Sequence, residues 1–307
     1  MKNYSFETPG RLHLRVENKC GDVYLIARPG TTTDVEVTSG GGNGDELEEG
    51  TRVEHRQAGG GPGHAGGERG HTVVVDVPAP GRLLRSMGAW NGWVALRVEL
   101  PEGADVEVSV AAGDITAEGA FGQARLSSAS GDISVGRVDG DFRANTASGD
   151  VSASAVGGKT EVTTASGSVT LEVAQGPSRI RTASGDVVIK GGGGHVSAQS
   201  ASGDVRIGEV LNGCQVQTAS GDQELERAVS GKARLETMSG DLTVRVPKGT
   251  AVSVELETVT GSLSSEIELS AERPGDQSGA ANEEEGRSFL EVNARTVTGD
   301  VEIKRLH

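Results

Sequence analysis

The sequence TASGDVSA at residues 146–153 recurs as TASGDVVI at 182–189 and as SASGDVRI at 200–207. The glycine of this word falls every 18 residues, at Gly113, Gly131, Gly149, Gly167, Gly185, Gly203 and Gly221, and then at Gly240 and Gly261 after steps of 19 and 21. Chance does not give six identical intervals, so the chain contains an internal repeat, which dictates the architecture. Further copies are KCGDVYL at 19–25 and TVTGDV at 296–301.

Apolar residues alternate with other residues on both halves of each repeat. Val187 and Ile189 follow the turn glycine Gly185. A second glycine lies nine residues after the first, as Gly140 follows Gly131, and Phe142 and Ala144 come after it. Alternation with period two is typical of strands that have one buried face. Two strands and two turns per unit predict an all-β, parallel β-helix-like solenoid with about 18 residues per coil. The alternative is an antiparallel meander, which does not require a constant repeat length.

Breaks in the repeat predict a three-part organisation. Residues 1–110 form irregular N-terminal β coils and a cap, residues 111–245 form the regular coils, and residues 246–307 form wider coils. The segments LPEGADVEVSV at 100–110 and VPKGTAVSVEL at 246–256 resemble each other and begin the wider coils. The glycine-rich stretch 39–70 and the acidic stretch 270–288 are polar, and both are predicted to be mobile loops.

Composition excludes several classes of function. The 29 Lys and Arg against 44 Asp and Glu give a formal net charge of −15, and only 3% of residues are aromatic. An acidic chain without a basic stripe repels phosphate backbones, so no nucleic-acid partner is expected. Apolar runs fall short of the roughly 20 residues of a membrane span, and the first residues lack a secretory signal. We therefore expect a cytoplasmic protein without membrane insertion.

Aspartate follows the turn glycine in most repeats and is the first candidate for chemistry. The set is Asp114, Asp132, Asp150, Asp186, Asp204, Asp222 and Asp241. Stacked coils bring neighbouring carboxylates close, and their repulsion is about 1 kcal/mol in water. One interpretation is a calcium-binding β-roll, in which a bound cation relieves the repulsion between the carboxylates. The favoured interpretation is that each aspartate binds the backbone of its own turn, because the G-G-x-G-x-D pattern is absent from the second half of each coil. No metal site is predicted.

Serine precedes the turn glycine in a second column. Its members are Ser130, Ser148, Ser166, Ser184, Ser202 and Ser220. A nucleophilic serine needs a positioned base, and His195, the histidine of the regular coils, lies in the opposite turn. His55, His64 and His71 have a spacing that matches no compact metal signature and are predicted to lie in a solvated loop. We therefore expect no catalytic residue and no cofactor.

The two cysteines and two tryptophans complete the candidates. Two thiols in a long chain do not make a disulfide framework and fit a reducing compartment. Cys214 occupies an inward column, so a buried position is predicted, whereas Cys20 replaces a turn serine and should be more exposed. Trp90 and Trp93 are predicted to plug the open end of the core; the alternative is an exposed anchor for a partner.

The repeated words resemble a known family. The iterated TASGDV words, the LPEGA and VPKGT segments and the ARTVTGDVEI at 294–303 are similar to the bacterial β-strand-repeat domains called putative adhesins, a domain family of unknown function. The resemblance covers nearly the whole chain outside the two predicted loops. It implies a right-handed β-helix-like solenoid, and it implies nothing about chemistry.

Two classes of function remain for such a solenoid. The favoured one is a non-catalytic scaffold or interaction module of adhesin-like type, with an unknown protein or polymer partner. The alternative is a carbohydrate-active enzyme, a polysaccharide lyase or hydrolase, because parallel β-helices host such activities. Those enzymes need clustered acids and usually an aromatic-lined groove, which this composition disfavours. Capped ends and an acidic surface predict a monomer or small oligomer.

Overall fold

The computed structural model describes residues 1–42, 44–57, 70–79, 92–267 and 289–306. These residues fall into two compact units, unit 1 at Met1–Gln175 and unit 2 at Gly176–His307. Most described residues lie in strands, and strands of successive repeats pair in parallel within each unit. The predicted all-β solenoid is therefore confirmed. The three-part division at residues 110 and 245 stays a prediction.

Unit 1 contains one helix and the first fifteen strands. They are β1 (Lys2–Glu7), β2 (Leu12–Asn18), β3 (Val23–Arg28), β4 (Thr32–Gly40), α1 (Gly44–Gly50), β5 (Arg52–Gln57), β6 (His71–Val77), β7 (Trp93–Pro101), β8 (Asp105–Ala112), β9 (Ile115–Phe121), β10 (Ala124–Ser130), β11 (Ile133–Val138), β12 (Phe142–Ser148), β13 (Val151–Val156), β14 (Thr160–Ser166) and β15 (Val169–Ala174). From β8 onward the chain alternates between two sheets. Sheet A has the order β1-β4-β7-β3-β9-β11-β13-β15, and sheet B has the order β5-β6-β2-β8-β10-β12-β14.

Unit 2 contains the remaining strands. They are β16 (Ser178–Ser184), β17 (Val187–Gly192), β18 (Val196–Ser202), β19 (Val205–Val210), β20 (Cys214–Ser220), β21 (Gln223–Ala228), β22 (Gly231–Ser239), β23 (Leu242–Val246), β24 (Ala251–Thr260), β25 (Leu263–Ser265), β26 (Phe289–Thr298) and β27 (Val301–Arg305). In this unit, one sheet, again labelled A, has the order β17-β19-β21-β23-β27-β25, and the other, again labelled B, has the order β16-β18-β20-β22-β26-β24. The last coil of the chain, β26 and β27, therefore lies between two earlier coils.

The strand register equals the repeat length. Ala124 pairs with Phe142, and Val205 pairs with Gln223, each a step of 18 residues. Inward residues of one coil therefore lie on inward residues of the next, and the core is a set of stacked columns. The predicted inward residues are at most 3% exposed: Ile115, Ala117, Ala124, Leu126, Ile133, Val135, Phe142, Ala144, Val151, Ala153, Val162, Val169, Leu171, Ile180, Val187, Ile189, Val196, Ala198, Val205, Ile207, Cys214 and Val216. Burying each larger side chain contributes about 1.5–3 kcal/mol.

The turn glycine is required by its backbone and by its neighbour in the stack. Gly149 has φ of +143°, a conformation that residues with a side chain rarely adopt. A Cβ atom built on Gly149 would also overlap the carbonyl oxygen of Gly131 in the preceding coil. The two coils can therefore approach to strand-pairing distance at this turn only where position 149 is glycine.

The prediction of a mobile loop over residues 39–70 is wrong for its first half. Residues 44–50 form α1, which buries Leu47 at 3% exposure and packs against β4 and β7. Residues 52–57 form β5, which pairs in antiparallel register with β6. The glycines that flank these elements obscured a short period-two pattern in which Val53 alternates with charged residues. Residues 58–69 and the whole of the predicted acidic loop, 270–288, lie outside the described residues.

Unit 1 also contains antiparallel pairs that the 18-residue repeat does not predict. β4 pairs in antiparallel register with both β1 and β7. β1 and β4 are the outermost strands of sheet A in unit 1, and each pairs with a strand that is distant in sequence.

We expect Gly149→Ala to lower the free energy of unfolding by at least about 2 kcal/mol, because the methyl group meets the Gly131 carbonyl and φ is unfavourable. The measurement is urea denaturation followed by circular dichroism. Gly30→Ala is the matched control, since no atom lies within 4 Å of its added Cβ, and a change below about 0.5 kcal/mol is expected there. Equal losses in both variants would contradict the stacking explanation.

Candidate interaction surfaces

The turn aspartates of unit 1 form a hydrogen-bonded ladder between coils. Oδ1 of Asp132 accepts a hydrogen bond from the backbone N–H of Asp150 at 2.8 Å, and Oδ1 of Asp114 accepts one from Asp132 at 2.8 Å. Asp150 in turn accepts from the N–H of Ser168 at 2.7 Å. The series starts at Asp22, which accepts from the N–H of Asp114 at 3.0 Å. The segment KCGDVYL is therefore a first copy of the repeat, as predicted.

Unit 2 repeats this ladder along its own coils. The acceptor and donor pairs are Asp186 with Asp204 at 2.9 Å, Asp204 with Asp222 at 2.9 Å, Asp222 with Asp241 at 2.8 Å, Asp241 with Asp300 at 2.8 Å, and Asp300 with Ser262 at 2.7 Å. The prediction that each aspartate binds its own turn is wrong in this detail. The donor belongs to the next coil, because exact stacking brings its N–H within reach of the carboxylate.

At Asp300 of the unit 2 ladder, hydrogen bonding favours the ionised form of the carboxyl group. The backbone N–H of Ser262, followed by its hydroxyl, lowers the pKa of the exposed Asp300 carboxyl. The backbone thus supplies positive dipoles to a row of like charges. Among the residues that the structure describes, no group of three or more His, Cys, Asp and Glu side chains is arranged to hold a metal ion.

Hydroxyl groups at the turn divide into two columns with different roles. The Thr or Ser that opens each word is buried, and Thr182 and Ser200 each donate a hydrogen bond at 3.1 Å to a carbonyl two residues on. The predicted serine column is exposed, at Ser130, Ser148, Ser166, Ser184, Ser202 and Ser220. The backbone carbonyls of these serines accept hydrogen bonds from the neighbouring coil; for example, the carbonyl of Ser148 accepts one from the N–H of Gly131 at 3.0 Å. His195 is exposed in unit 2.

The prediction that the histidines lie in a solvated loop is wrong for two of them. His55 on β5 and His71 on β6 are joined by a 2.9 Å hydrogen bond between Nε2 and Nδ1, respectively. His71 is only 4% exposed, and the ring of Phe6 lies 5.2 Å from that of His55. The bond requires one protonated and one unprotonated nitrogen, and the other ring nitrogen of His71, Nε2, is buried without a hydrogen-bond partner among the described residues. His64 lies outside the described residues.

The exposure of the remaining candidates, the cysteines and tryptophans, depends on the face of the strand that each one occupies. Cys214 is buried as predicted, and burial raises the pKa of its thiol to about 12. Cys20 is partly exposed, and neither thiol forms a disulfide. Trp93 does not plug the core: it lies on the outer face of β7, is 45% exposed and packs over Gly40. Trp90 is not among the described residues.

The outer face of sheet B in unit 1 carries the side chains that differ from coil to coil. Arg125 on β10 pairs in register with Arg143 on β12, and with Glu107 on β8. Together with Arg15 and Asn145 they help to line a depression of 410 Å³. The Arg15 guanidinium donates a hydrogen bond to the Glu17 carboxylate at 2.9 Å, and this bond raises the pKa of Arg15. The face therefore combines guanidinium, carboxylate and amide groups within one area.

Outer faces of unit 2 carry ladders of a different kind. Gln199 accepts a hydrogen bond from Arg181 at 3.3 Å and donates to Gln217 at 3.0 Å, and Gln217 donates to Glu236 at 2.9 Å. Sheet A has Glu224 bound by both Arg206 and Arg245. The hydrogen bonds from these two guanidinium groups lower the pKa of the Glu224 carboxyl. Outward polar side chains are thus fixed in rows across neighbouring strands.

The comparisons with known proteins bear on this repeat pattern. The family model of Toastrack DUF4097, a domain of unknown function, matches residues 67–227 and 196–304. The chain belongs to this family. The two overlapping matches together span the regular coils and the final coil of the Toastrack chain. None of the curated proteins compared with the chain matches it.

Two solved structures are similar over nearly their full lengths. The first is a putative cell adhesion protein from Clostridium sporogenes, with 10% identity, a TM-score of 0.26 and coverage of 99% of both chains. The second is a putative adhesin from Bacteroides fragilis, with 11% identity, a TM-score of 0.28 and coverage of 99% of this chain and 96% of that one. Adhesion is the description given to those two proteins.

We found no helix in the described residues with the length and apolar character of a membrane span. The helix α1 has seven residues, of which Asp45 and Glu46 lie in its first turn.

We expect Asp132→Ala to lower the free energy of unfolding by about 1 kcal/mol, because the N–H of Asp150 loses its acceptor. Asp132→Asn keeps an acceptor oxygen and removes one charge from the ladder, so a change within about 0.5 kcal/mol is expected. Urea denaturation near neutral pH measures both. If the asparagine variant lost as much stability as the alanine variant, charge rather than hydrogen bonding would be the source of the stabilisation.

Stability should depend on pH through Asp300. Its pKa in the folded chain lies below the ordinary value of 3.8, so its ionised form stabilises the fold above that value. This contribution is lost as the pH falls through the lowered pKa. The difference in unfolding free energy between the native chain and Asp300→Asn should be constant from about pH 7 to about pH 5 and shrink below about pH 4. A difference that grows on acidification would contradict the assigned direction.

Proposed function

We propose that this Toastrack-family chain is a non-catalytic solenoid scaffold, an interaction module of adhesin-like type whose outer strand faces bind a protein or polymer partner. One observation carries the proposal. The repeated residues of each coil are used inside the fold, whereas the residues that change from coil to coil face outward. The outward row of Arg125, Arg143 and Glu161 is one example, and it stands on three neighbouring strands.

Within one coil, the residues that hold the stack together differ from the residues that face outward, and this separation supports the proposal. In the third regular coil, Thr146 is buried, Gly149 permits close stacking, and Asp150 binds the next coil. Each is occupied by a structural task. By contrast, Arg143 and Asn145 of the same coil face outward and are not needed to hold the stack together. In a scaffold of this design, the outward side chains can differ from coil to coil while the repeated residues keep the coils stacked.

A carbohydrate-active enzyme is a poorer fit to the described chemistry. General acid catalysis on a glycosidic bond needs a carboxyl whose pKa is raised toward neutrality. The described carboxyl groups with a shifted pKa, Glu17, Glu48, Glu224 and Asp300, are all shifted downward by hydrogen bonds to positive or N–H donors. Both large aromatic residues of the regular coils, Phe121 and Phe142, are buried and so do not line a sugar-binding groove.

The test places a photo-crosslinking amino acid on an outer face. Position 145 represents sheet B of unit 1, position 217 represents sheet B of unit 2, and the exposed turn residue Lys248 is the control. Partner capture in the native host is expected from position 145 or 217 and not from position 248. In parallel, the purified chain should give no turnover on a panel of neutral and acidic polysaccharides.

Two results would overturn the proposed function. Equal capture from all three positions would indicate nonspecific adhesion of an acidic surface rather than a binding face. Polysaccharide turnover that survives purification and is lost on substitution of a single carboxyl group would identify an enzyme.

A further inference from the structure

The strand β24 leaves one side of unit 2 without a described partner. It is the last strand of sheet B in this unit and pairs only with β26; no other strand in the described ranges lies along its free side. Its inward residues Val252, Val254 and Leu256 are only half-buried. The residues that pair with them on β26, Leu290, Val292 and Ala294, are at most 1% exposed. The core of unit 2 therefore ends with its last apolar layer half covered.

A row of exposed apolar residues lies at the turn end of the same strands. Met238, Val297 and Val259 occupy register-matched positions on β22, β26 and β24, and they are 64%, 45% and 79% exposed. The earlier coils of unit 2 have alanine at this position, at Ala183, Ala201 and Ala219. Alanine suffices for the fold, so the larger side chains add apolar surface that folding does not require. A contiguous exposed apolar patch marks an interaction site.

Charges on the outward side of β24 indicate the chemistry of the occupant. Glu255 is bound by Asn293 at 2.6 Å, and Glu257 is bound by Arg295 at 3.0 Å, both from the β26 side. Across the strands, opposite charges alternate, as in the register-matched series Glu236, Arg295 and Glu257. The series ends at the free edge with the carboxylate of Glu257. A basic residue on a strand added beside β24 continues the alternation of charge.

We propose that the free edge of β24 binds an extended segment of a partner protein in which apolar residues alternate with lysine or arginine. The segment adds one parallel or antiparallel strand to sheet B, its apolar side chains cover Val252, Val254 and Leu256, and its basic side chains meet Glu255 and Glu257. A second copy of the chain is a poorer occupant. Edge-to-edge pairing brings two pairs of glutamates together, and each chain carries a net charge of −15.

This proposal rests on the function proposed above, since it supplies a partner class for an interaction module. Its failure remains distinguishable, because the test changes only the β24 edge and leaves the outer-face positions 145 and 217 untouched. If the native chain does not bind the lysine peptide while partner capture persists at positions 145 and 217, the edge site alone is refuted.

The test uses two synthetic peptides of ten residues, the length of β24, one alternating valine with lysine and the other alternating valine with glutamate. The full chain should bind the lysine peptide and not the glutamate peptide by fluorescence anisotropy. Glu255→Lys/Glu257→Lys should weaken lysine-peptide binding at least about tenfold and create binding of the glutamate peptide. Hydrogen exchange should slow at β24 amides when the lysine peptide binds.

The matched control is Glu46→Lys/Glu49→Lys, which changes the net charge equally on the exposed side of α1. It should alter lysine-peptide affinity by less than about twofold at physiological ionic strength. If the edge variant does not fold, Glu255→Gln/Glu257→Gln gives the same direction of change with a smaller loss.

Three outcomes would overturn the proposal. The first is an equal loss of affinity in the α1 control, which indicates general attraction to an acidic chain. The second is a dimer that light scattering detects in the native chain and that the edge variant dissociates, which identifies a second copy as the occupant. The third is exchange at β24 that is as slow as at β26 without peptide, which indicates that the chain itself covers the edge.

Discussion

The close approach of identical turns is the constraint on which both units depend. At the turn of residues 131–133, the N–H of Gly131 donates to Ser148, the N–H of Asp132 donates to Asp114, and the N–H of Ile133 donates to Asp150. These bonds tie one coil to both of its neighbours. Because they exist only at one register, they also set which side chains meet in the core. Packing of the aliphatic columns follows from the turn rather than the reverse.

Each letter of the repeated word has a separate physical cause. The opening Thr or Ser is buried, and at Thr182 and Ser200 its hydroxyl binds a turn carbonyl. The carbonyl of the following serine accepts a backbone bond, the glycine tolerates positive φ, and the aspartate accepts a bond from the next coil. None of these causes requires a ligand. The persistence of the word along the chain is explained by the fold, and so it is not evidence for catalysis or for a metal.

Much of the fold could be predicted because its information is local and periodic. A spacing of 18 with period-two alternation identified the strands, the parallel stacking and inward residues such as Phe142 and Cys214. The donor to each aspartate could not be predicted, since it depends on three-dimensional register. The pairing of His55 with His71 was missed for a related reason: it arises across two antiparallel strands whose sequence between them has no repeat.

Coil order could not be predicted where the spacing departs from 18. Three turn glycines follow in the chain as Gly240, Gly261 and Gly299, yet Gly299 lies between the other two. Sequence spacing reports the length of a coil and not its place in the stack. The same limit applies to the candidate surface, because the half-covered edge of β24 becomes visible only once β26 is placed beside it. The apolar replacements Met238, Val259 and Val297 were the available signal.

The position of the last coil has a consequence during protein synthesis. β26 and β27 insert between strands made earlier, β22 and β23 on one side and β24 and β25 on the other. A nascent chain that has reached residue 265 has made both neighbours but not the layer that joins them. This end of unit 2 therefore completes its folding only after residues 289–305 have left the ribosome, and until then the neighbouring strands lack the layer that pairs with both of them.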